Sequence, residues 1–285
     1  MTITEQAPAK VNLTLDILGK RPDGYHDLKM VMQTVSLYDT VTVTETAGES
    51  VSVSVDRGDL PAGPDNIAWK AADVFFRRTG LPRRGLAIAL QKRIPAQAGM
   101  AGGSADGAAV LRVLRRLYAP DLPMAELEDM AAAVGSDVPF CVRGGTVLAE
   151  GRGERLQDLP PMPACWLALC KPAFGLSTPA LFGRVRTAEL KRRPDHGAME
   201  QALRAGELTA VARQLANVFE EVLTAEEARE IRAIQETLLS RGALGAVMTG
   251  SGPTVFGLFS EQTQAEEAAA ALRRPDRQVF TAQPV

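Results

Sequence analysis

The chain has 285 residues, with 32 basic and 34 acidic side chains and a formal net charge of −2. This near balance of charge gives no reason to expect a nucleic acid or an anionic membrane surface as a partner. No apolar run is long enough to span a bilayer, and the first residues lack the basic and apolar regions of a signal peptide, so we expect a cytoplasmic protein. The length of the chain suggests about two domains.

Alternation of polar and apolar residues predicts the strands of the first half of the chain, and apolar residues at helical spacing predict its helices. Strands are predicted at residues 10–17, 34–46, 51–55, 86–90 and 145–150, and helices at 65–78, 108–118 and 124–134. Asp65 or Asn66 is expected to cap the first helix, which stops at Gly80. The strand at 10–17 places Lys10, Asn12 and Thr14 on one face. Such polar residues usually meet solvent, and the alternative for Lys10 and Asn12 here is that they line a cleft.

The second half follows a proline-rich stretch at residues 159–163, which indicates a domain boundary. We therefore expect one domain at residues 1–158 and another at 159–285. Strands are predicted at 166–171, 245–259 (with a glycine turn inside) and 278–281, and helices from 177, at 199–204, 207–216, 226–241 and 263–273. The mixed order of strands and helices predicts an α+β protein, with a small antiparallel sheet and helices on one of its faces in the second half.

The three cysteines, Cys141, Cys165 and Cys170, lie in apolar surroundings and are odd in number. Reduced core thiols are therefore expected rather than a disulfide framework or a metal site. Because His26 and His196 are the only histidines in the sequence, a histidine-rich metal site is excluded.

A glycine-rich loop at residues 92–106 lies between a predicted strand and a predicted helix. Gly99, Gly102 and Gly103 are expected to allow positive φ and a close approach of the backbone to a ligand. Ser104 is expected to cap the helix, whose N-terminus favours phosphate. The plain alternative is a flexible turn. The loop matches neither G-x-x-x-x-G-K-[ST] nor G-x-G-x-x-G, so neither a P-loop nor a Rossmann site is indicated.

Three motifs resemble those of the GHMP kinases. They are Pro8-Ala9-Lys10-Val-Asn12-Leu, the loop at residues 95–105, and Met248-Thr249-Gly250-Ser251-Gly252-Pro253. Within the loop this chain departs from the family pattern at three positions: Met100 replaces leucine, Ala101 replaces the first glycine of a pair, and Ala105 replaces a serine.

Residues 19–28 and 33–39, and the motif Gly135-Ser136-Asp137-Val138-Pro139-Phe140, resemble one subgroup of that family, the 4-diphosphocytidyl-2-C-methyl-D-erythritol kinases. The resemblance implies ATP-dependent and magnesium-dependent phosphorylation of that substrate's 2-hydroxyl, in the non-mevalonate isoprenoid pathway. It also implies the GHMP kinase fold, with an N-terminal domain like ribosomal protein S5 domain 2 and a C-terminal ferredoxin-like α/β-plait domain.

The same resemblance implies roles for individual residues. Asp137 matches the catalytic base and Lys10 the lysine that assists it; read alone, the aspartate would be a turn former or helix cap. Ser104 matches a residue that reaches a phosphate or magnesium, and Asp65, Asn66 and Lys92 match positions near the nucleoside. The expected ATP-binding residues are Pro95, Ala96, Gln97, Ala98, Gly99, Met100, Ala101, Gly102, Gly103, Ser104 and Ala105. The expected substrate-binding residues are Asn12, Tyr25, His26, Thr178, Phe182, Gly250 and Ser251.

Two other functions stay open from the sequence. One is a GHMP kinase for a different small molecule, such as homoserine, mevalonate or a sugar. The other is a non-catalytic, nucleotide-binding regulator on the same fold, to which Ala101 and Ala105 in the loop give some support. The retained Lys10 and Asp137 argue against the regulator. The expected partners are ATP and the small-molecule substrate, bound by a monomer or homodimer, with no nucleic acid and no membrane.

Overall fold

The structure, a computed structural model, describes residues 1–58 and 60–285. The strands are β1 Thr2–Lys20, β2 His26–Thr46, β3 Val51–Val55, β4 Gly85–Gln91, β5 Thr146–Gly151, β6 Arg155–Asp158, β7 Trp166–Lys171, β8 Ala216–Asn217, β9 Gly245–Met248, β10 Val255–Phe259 and β11 Gln278–Ala282. The α-helices are α1 Ile67–Thr79, α2 Gly102–Tyr118, α3 Met124–Val134, α4 Val138–Arg143, α5 Thr178–Arg184, α6 His196–Ala205, α7 Leu208–Arg213, α8 Ala225–Ser240 and α9 Gln262–Leu272.

The chain forms two compact units, and both are discontinuous in sequence. The first comprises residues 1–9, 37–96 and 101–144, and the second comprises residues 10–36, 97–100 and 145–285. The long strands β1 and β2 each contribute residues to both units. The division into domains at residues 158 and 159 stays a prediction.

In the first unit, β4 pairs with the C-terminal part of β2 in antiparallel fashion and with β3 in parallel. Helix α1 packs against α2, and both α2 and α3 pack against α4. Helix α1 begins as predicted, because Asn66 Oδ1 accepts a hydrogen bond from the Ala68 amide at 2.8 Å. It ends at Gly80, which adopts the left-handed conformation with φ of 68°.

In the second unit, β2 pairs with β5, β5 pairs with β6, and β1 pairs in parallel with the short β8. A separate antiparallel sheet has the order β11-β7-β10-β9. Helices α8 and α9 pack against each other and against that sheet. The predicted α+β class and the predicted antiparallel sheet of the second half are therefore confirmed.

Several local predictions were wrong in position. The helix expected at 207–216 ends at Arg213, because Ala216 and Asn217 form β8. The strand predicted from residue 34 begins at His26, and helix α2, whose cap was predicted at Ser104, already begins at Gly102. Helix α3 ends at Val134 as predicted, but a short helix that was not predicted, α4, starts at Val138 with a proline in its first turn, where proline is favourable. No helix among the described residues is long and apolar enough to cross a membrane.

Candidate active site

All three motifs contribute backbone to one junction in the second unit. The Lys10 amide donates to the Met100 carbonyl at 3.2 Å. The Asn12 amide donates to Thr249 Oγ1 at 2.9 Å, and that hydroxyl lies 3.4 Å from the Gly99 carbonyl. Residues from three distant parts of the chain are thereby fixed to one another, as expected of a single functional site.

Lys10 and Asn12 are buried at this junction, with 4% and 0% exposure. The Lys10 ammonium donates to Asn12 Oδ1 at 2.6 Å. The expectation that a polar strand face would usually be solvated does not hold here. Burial of an ammonium group is unfavourable unless polar or negatively charged groups surround it. The Asn12 side-chain oxygen supplies one such polar group to the Lys10 ammonium.

Gly99 in the loop and Gly250 in the glycine turn at residues 249–252 are required by close packing. A Cβ atom on Gly99 would lie 2.2 Å from the Thr249 carbonyl oxygen, and one on Gly250 would lie 2.6 Å from the Gly99 carbonyl oxygen. Both glycines have positive φ, of 72° and 57°. Only glycine satisfies both the space and the backbone conformation at these positions.

The N-terminus of α2 differs from the predicted one in two respects. Ala101 is the N-cap residue and makes no side-chain capping bond, so the prediction that Ser104 caps the helix was wrong. Gly102 and Gly103 lie inside the helix and do not have positive φ, whereas Gly99 does. The first amides of α2 still lack intrahelical partners, as at every helix start, and they remain suited to bind phosphate.

Ala101 is strained, because it has φ of 58° in the left-handed region. For a residue other than glycine, this conformation is unfavourable by about 1 kcal/mol or more. Ala101→Gly, which restores the GHMP pattern, should therefore raise the free energy of unfolding by up to about 1 kcal/mol, offset in part by the greater freedom of the unfolded chain. Chemical denaturation of the two proteins measures this difference, and a less stable glycine variant would contradict the expectation.

Asp137 lies in the first unit, as the residue before α4, and is partly buried. Its side chain makes no capping bond to that helix. Asp137 therefore occupies the N-cap position of α4, but its side chain does not act as a helix cap.

The predicted substrate residues fall into two groups in the second unit. His26 stacks on Phe182 with 4.8 Å between ring centroids, and Phe182 meets Phe219 edge-on at 5.0 Å. Burial lowers the pKa of His26, which favours the neutral ring. Tyr25 is 58% exposed, and its ring contacts the Arg152 guanidinium at 5.1 Å. Thus His26 and Phe182 are brought together, while Tyr25 lies at the surface.

The other predicted substrate residues border the glycine turn. Thr178 begins α5, and its hydroxyl shares a hydrogen bond of 2.7 Å with the Ser251 hydroxyl. This bond links α5, which carries Phe182, to the third motif. Gly250 is buried beside the Lys10 ammonium, which would lie 3.1 Å from a Cβ atom there.

Asn217 supports the glycine turn and was missed by sequence reasoning. Its amide nitrogen Nδ2 donates to the Met248 and Gly250 carbonyls at 2.7 and 2.8 Å. Its Oδ1 accepts from the Phe219 amide at 3.0 Å. One buried side chain therefore connects the turn to the segment that packs on Phe182. Asn217 lies beside the glycine turn in a strand, β8, that pairs with β1, and no local sequence pattern predicts that pairing.

The three residues assigned near the nucleoside lie in the first unit in different settings. Asp65 is exposed, whereas Asn66 is buried and donates from Nδ2 to the Pro61 carbonyl at 2.7 Å. The Lys92 ammonium is bonded to the carboxylates of Asp39 and Asp106. A contact of these residues with a nucleoside stays a prediction.

The cysteines are buried and form no disulfide, as predicted. Burial raises the pKa of the Cys165 thiol to about 12 and that of Cys170 to about 11. Thiols with such pKa values are poor nucleophiles at neutral pH.

Among the described residues, no group of three or more His, Cys, Asp or Glu side chains could hold a metal ion.

Comparisons with known proteins agree with this arrangement. The family model for the GHMP kinases N terminal domain matches residues 66–145, and the model for the GHMP kinases C terminal matches residues 199–278. A 4-diphosphocytidyl-2-C-methyl-D-erythritol kinase from Pelotomaculum thermopropionicum is 44% identical over 98% of this chain and 97% of that relative. One from Exiguobacterium sibiricum is 44% identical over 96% of this chain and 94% of that relative.

Solved structures give the same result at the level of fold. A crystal structure of 4-(cytidine 5'-diphospho)-2C-methyl-D-erythritol kinase superposes with a TM-score of 0.83 and 32% identity, covering 99% of each chain. A homoserine kinase from Cytophaga hutchinsonii superposes with a TM-score of 0.76 over 99% of this chain and 94% of that one, but at 19% identity it shows the fold alone. The chain therefore belongs to the GHMP kinases and, within them, to the 4-diphosphocytidyl-2-C-methyl-D-erythritol kinase family.

Proposed function

We propose that this protein transfers the γ-phosphoryl group of ATP to the 2-hydroxyl of 4-diphosphocytidyl-2-C-methyl-D-erythritol, a step of the non-mevalonate isoprenoid pathway. The observation that carries the proposal is the 44% identity to kinases of that name over nearly the full length of both chains. The junction of the three motifs adds physical support, because it places a buried lysine beside a loop suited to phosphate. The reaction is expected to take place in the cytoplasm.

Asp137 acts as the general base in this proposal. Attack of a hydroxyl on a γ-phosphate requires removal of the hydroxyl proton and stabilisation of the charge that develops. Asp137 accepts the proton, and Lys10 stabilises the charge on the hydroxyl oxygen. The amides of residues 99–104 bind the triphosphate through their N–H groups. The roles of Asp137, Lys10 and the loop amides are all carried over from the family's motifs onto these positions.

Magnesium is the metal that the family implies. The described residues fit it only in a limited way, because they contain no cluster of three or more acidic, histidine or cysteine side chains. This is compatible with a magnesium ion held mainly by ATP phosphates and by one protein oxygen, for which Ser104 Oγ is the candidate. When bound, magnesium neutralises charge on the β- and γ-phosphate oxygens.

Selectivity for the cytidyl group is assigned to Tyr25, His26 and Phe182. A pyrimidine needs an aromatic face to stack on and polar groups at its edge. The stacked His26 and Phe182 rings supply an aromatic surface beside the hydrogen-bonded Thr178 and Ser251. Asn12, Thr178, Gly250 and Ser251 are the remaining proposed contacts to the substrate.

Phe182→Ala and Tyr25→Ala should each raise KM for the cytidyl substrate by roughly 5- to 150-fold, since one stacking partner is worth about 1–3 kcal/mol. KM for ATP should change little. The measurement is a steady-state titration of each substrate with the other saturating. Equal rises in both KM values in a folded variant would contradict a role in cytosine binding.

A coupled assay of ADP release tests the proposed function. The panel contains the cytidyl substrate, 2-C-methylerythritol 4-phosphate, mevalonate and homoserine, each with ATP and magnesium. Rapid turnover of the cytidyl substrate alone is expected. Efficient turnover of mevalonate or homoserine would favour another GHMP activity, and ATP binding without turnover of any substrate would favour a regulator.

A further inference from the structure

Three buried charged residues meet at the base of the phosphate loop, defined here as residues 95–101. Lys92 follows β4, and its ammonium bonds to Asp39 of β2 and to Asp106 of α2. The side chains of Lys92, Asp39 and Asp106 are 4%, 0% and 3% exposed. All three lie in the first unit, where they connect the strand before the loop, the helix after it and a neighbouring strand.

Asp39 also fixes the backbone that enters the loop. Its Oδ1 accepts hydrogen bonds from the Arg93 amide at 2.6 Å and the Ile94 amide at 2.8 Å. Across the loop, a Cβ atom on Gly102 would lie 3.0 Å from Ile94 Cγ2 and 3.5 Å from Asp39 Oδ2. The residues that enter the loop are therefore bonded to Asp39, whereas the helix that leaves it lies close to the same carboxylate and is linked to it through Asp106 and Lys92.

Such a cluster is poorly explained as a source of stability alone. Two carboxylates share one ammonium group, and Asp106 Oδ1 has no hydrogen-bond partner among the described residues. Burial raises the pKa of Asp106 to about 7, so its charge is costly in this environment. Buried ion pairs are often no more stabilising than apolar residues of similar size. What the cluster does provide is a defined geometry for the chain on each side of the loop.

We propose that Asp39, Lys92 and Asp106 form a clamp that holds the two ends of the phosphate loop at the spacing required to bind the ATP triphosphate. The inference rests on the proposed function in that it takes residues 95–105 to be the ATP site. Asp39 and Asp106 act as positioning residues, since their carboxylates are bonded to Lys92 and, for Asp39, to the backbone amides that enter the loop. When both loop ends are already held in place, the loop loses less conformational entropy on binding ATP, and binding is correspondingly tighter.

The test measures binding of a non-hydrolysable ATP analogue, with magnesium, to two variants of the full chain. Asp39→Asn weakens the acceptors for Arg93, Ile94 and Lys92 while keeping side-chain size. Asp106→Ala removes the bond from α2, and alanine is the most favourable residue in a helix, so this variant is expected to fold. Both variants should bind the analogue about 10- to 100-fold more weakly, as expected for a displaced binding loop.

Glu5→Gln is the matched control in the same unit. Glu5 is 14% exposed and pairs with Arg112 and Arg116 of α2, away from the loop. Its loss should lower the melting temperature without changing analogue binding. The two clamp variants should instead raise KM for ATP while leaving KM for the cytidyl substrate unchanged, a separation that a general loss of stability does not produce.

Normal analogue affinity in either folded clamp variant would overturn the clamp. A parallel loss of affinity in Glu5→Gln would also overturn it, because the effect would then follow stability. Failure of the proposed function is recognised separately in the wild-type protein. If the wild type binds the analogue but does not turn over the cytidyl substrate, the substrate assignment fails while weaker binding by the variants still supports the clamp. If the wild type does not bind the analogue, the ATP site and the clamp both fail.

Discussion

Asp137→Asn is expected to lower kcat by roughly 10²–10⁴ while leaving ATP affinity near the wild-type value. The amide cannot accept the proton of the attacking hydroxyl, so the loss falls on the chemical step. Helix α4 should be unaffected, because the Asp137 side chain makes no capping bond to it. Steady-state kinetics with both substrates, together with a binding titration of an ATP analogue, separate the two effects.

Ser136→Ala is the control for that substitution. Ser136 is the exposed neighbour of Asp137 on the same turn and should tolerate alanine with unchanged kcat. A folded Asp137→Asn variant that keeps most of the wild-type kcat would remove Asp137 from the role of base. Loss of ATP binding in step with kcat would show that the substitution damages the nucleotide site instead.

Gly99→Ala should destabilise the protein and weaken ATP binding together. The new Cβ atom would lie 2.2 Å from the Thr249 carbonyl oxygen, at a residue with φ of 72°. Backbone strain and overpacking together predict a loss of about 2–4 kcal/mol in the free energy of unfolding. Because the clash forces the phosphate loop away from the glycine turn, KM for ATP should also rise. Chemical denaturation and an ATP titration measure the two effects.

Gly103→Ala is the matched control for Gly99→Ala. Gly103 lies in α2, and the nearest atom to an added Cβ would be Ile67 Cγ1 at an ordinary contact distance of 3.7 Å. Alanine is favoured over glycine in a helix by about 0.5–1 kcal/mol, so the fold should be retained or made more stable. A Gly99→Ala variant as stable as Gly103→Ala, with unchanged ATP affinity, would contradict the packing of the loop against the turn.

Local sequence patterns predicted those elements whose causes are local. Helix α3 and strands β3 and β7 have the predicted bounds, because apolar residues follow helical spacing in α3, alternate in β3 and form a short continuous run in β7. The caps Asn66 and Gly80 were also correct, since each acts within one turn of α1. In contrast, Ser104 was wrongly taken as a cap, because the left-handed conformation of Ala101 starts α2 three residues earlier.

Features that depend on distant partners were not predictable from one sequence. Strand β8 has two residues, and it exists only because it pairs with β1 at Thr14 and Leu15. Asn217 gains its role on the glycine turn through that pairing. The clamp joins Lys92 to carboxylates 53 positions before it and 14 positions after it. The three residues belong to different parts of the fold, β2, the residue after β4 and α2, so no periodicity within one element indicates these contacts.

The candidate site was found through motif resemblance, and its physical basis became visible in the fold. In the fold, the third motif packs against the phosphate loop, because Gly99 and Gly250 lie in contact at the junction. The roles of Lys10 and Asp137 in catalysis, and of Tyr25, His26 and Phe182 in substrate binding, stay predictions for the experiments described above.

The most direct test of the central claim is identification of the reaction product by phosphorus NMR, with ATP, magnesium and the cytidyl substrate. We predict a new phosphomonoester on the 2-hydroxyl, formed with one equivalent of ADP, and a much lower kcat/KM when the cytidyl group is absent from the substrate. Phosphorylation at another position, or an equal kcat/KM for the substrate without its cytidyl group, would contradict the proposed function.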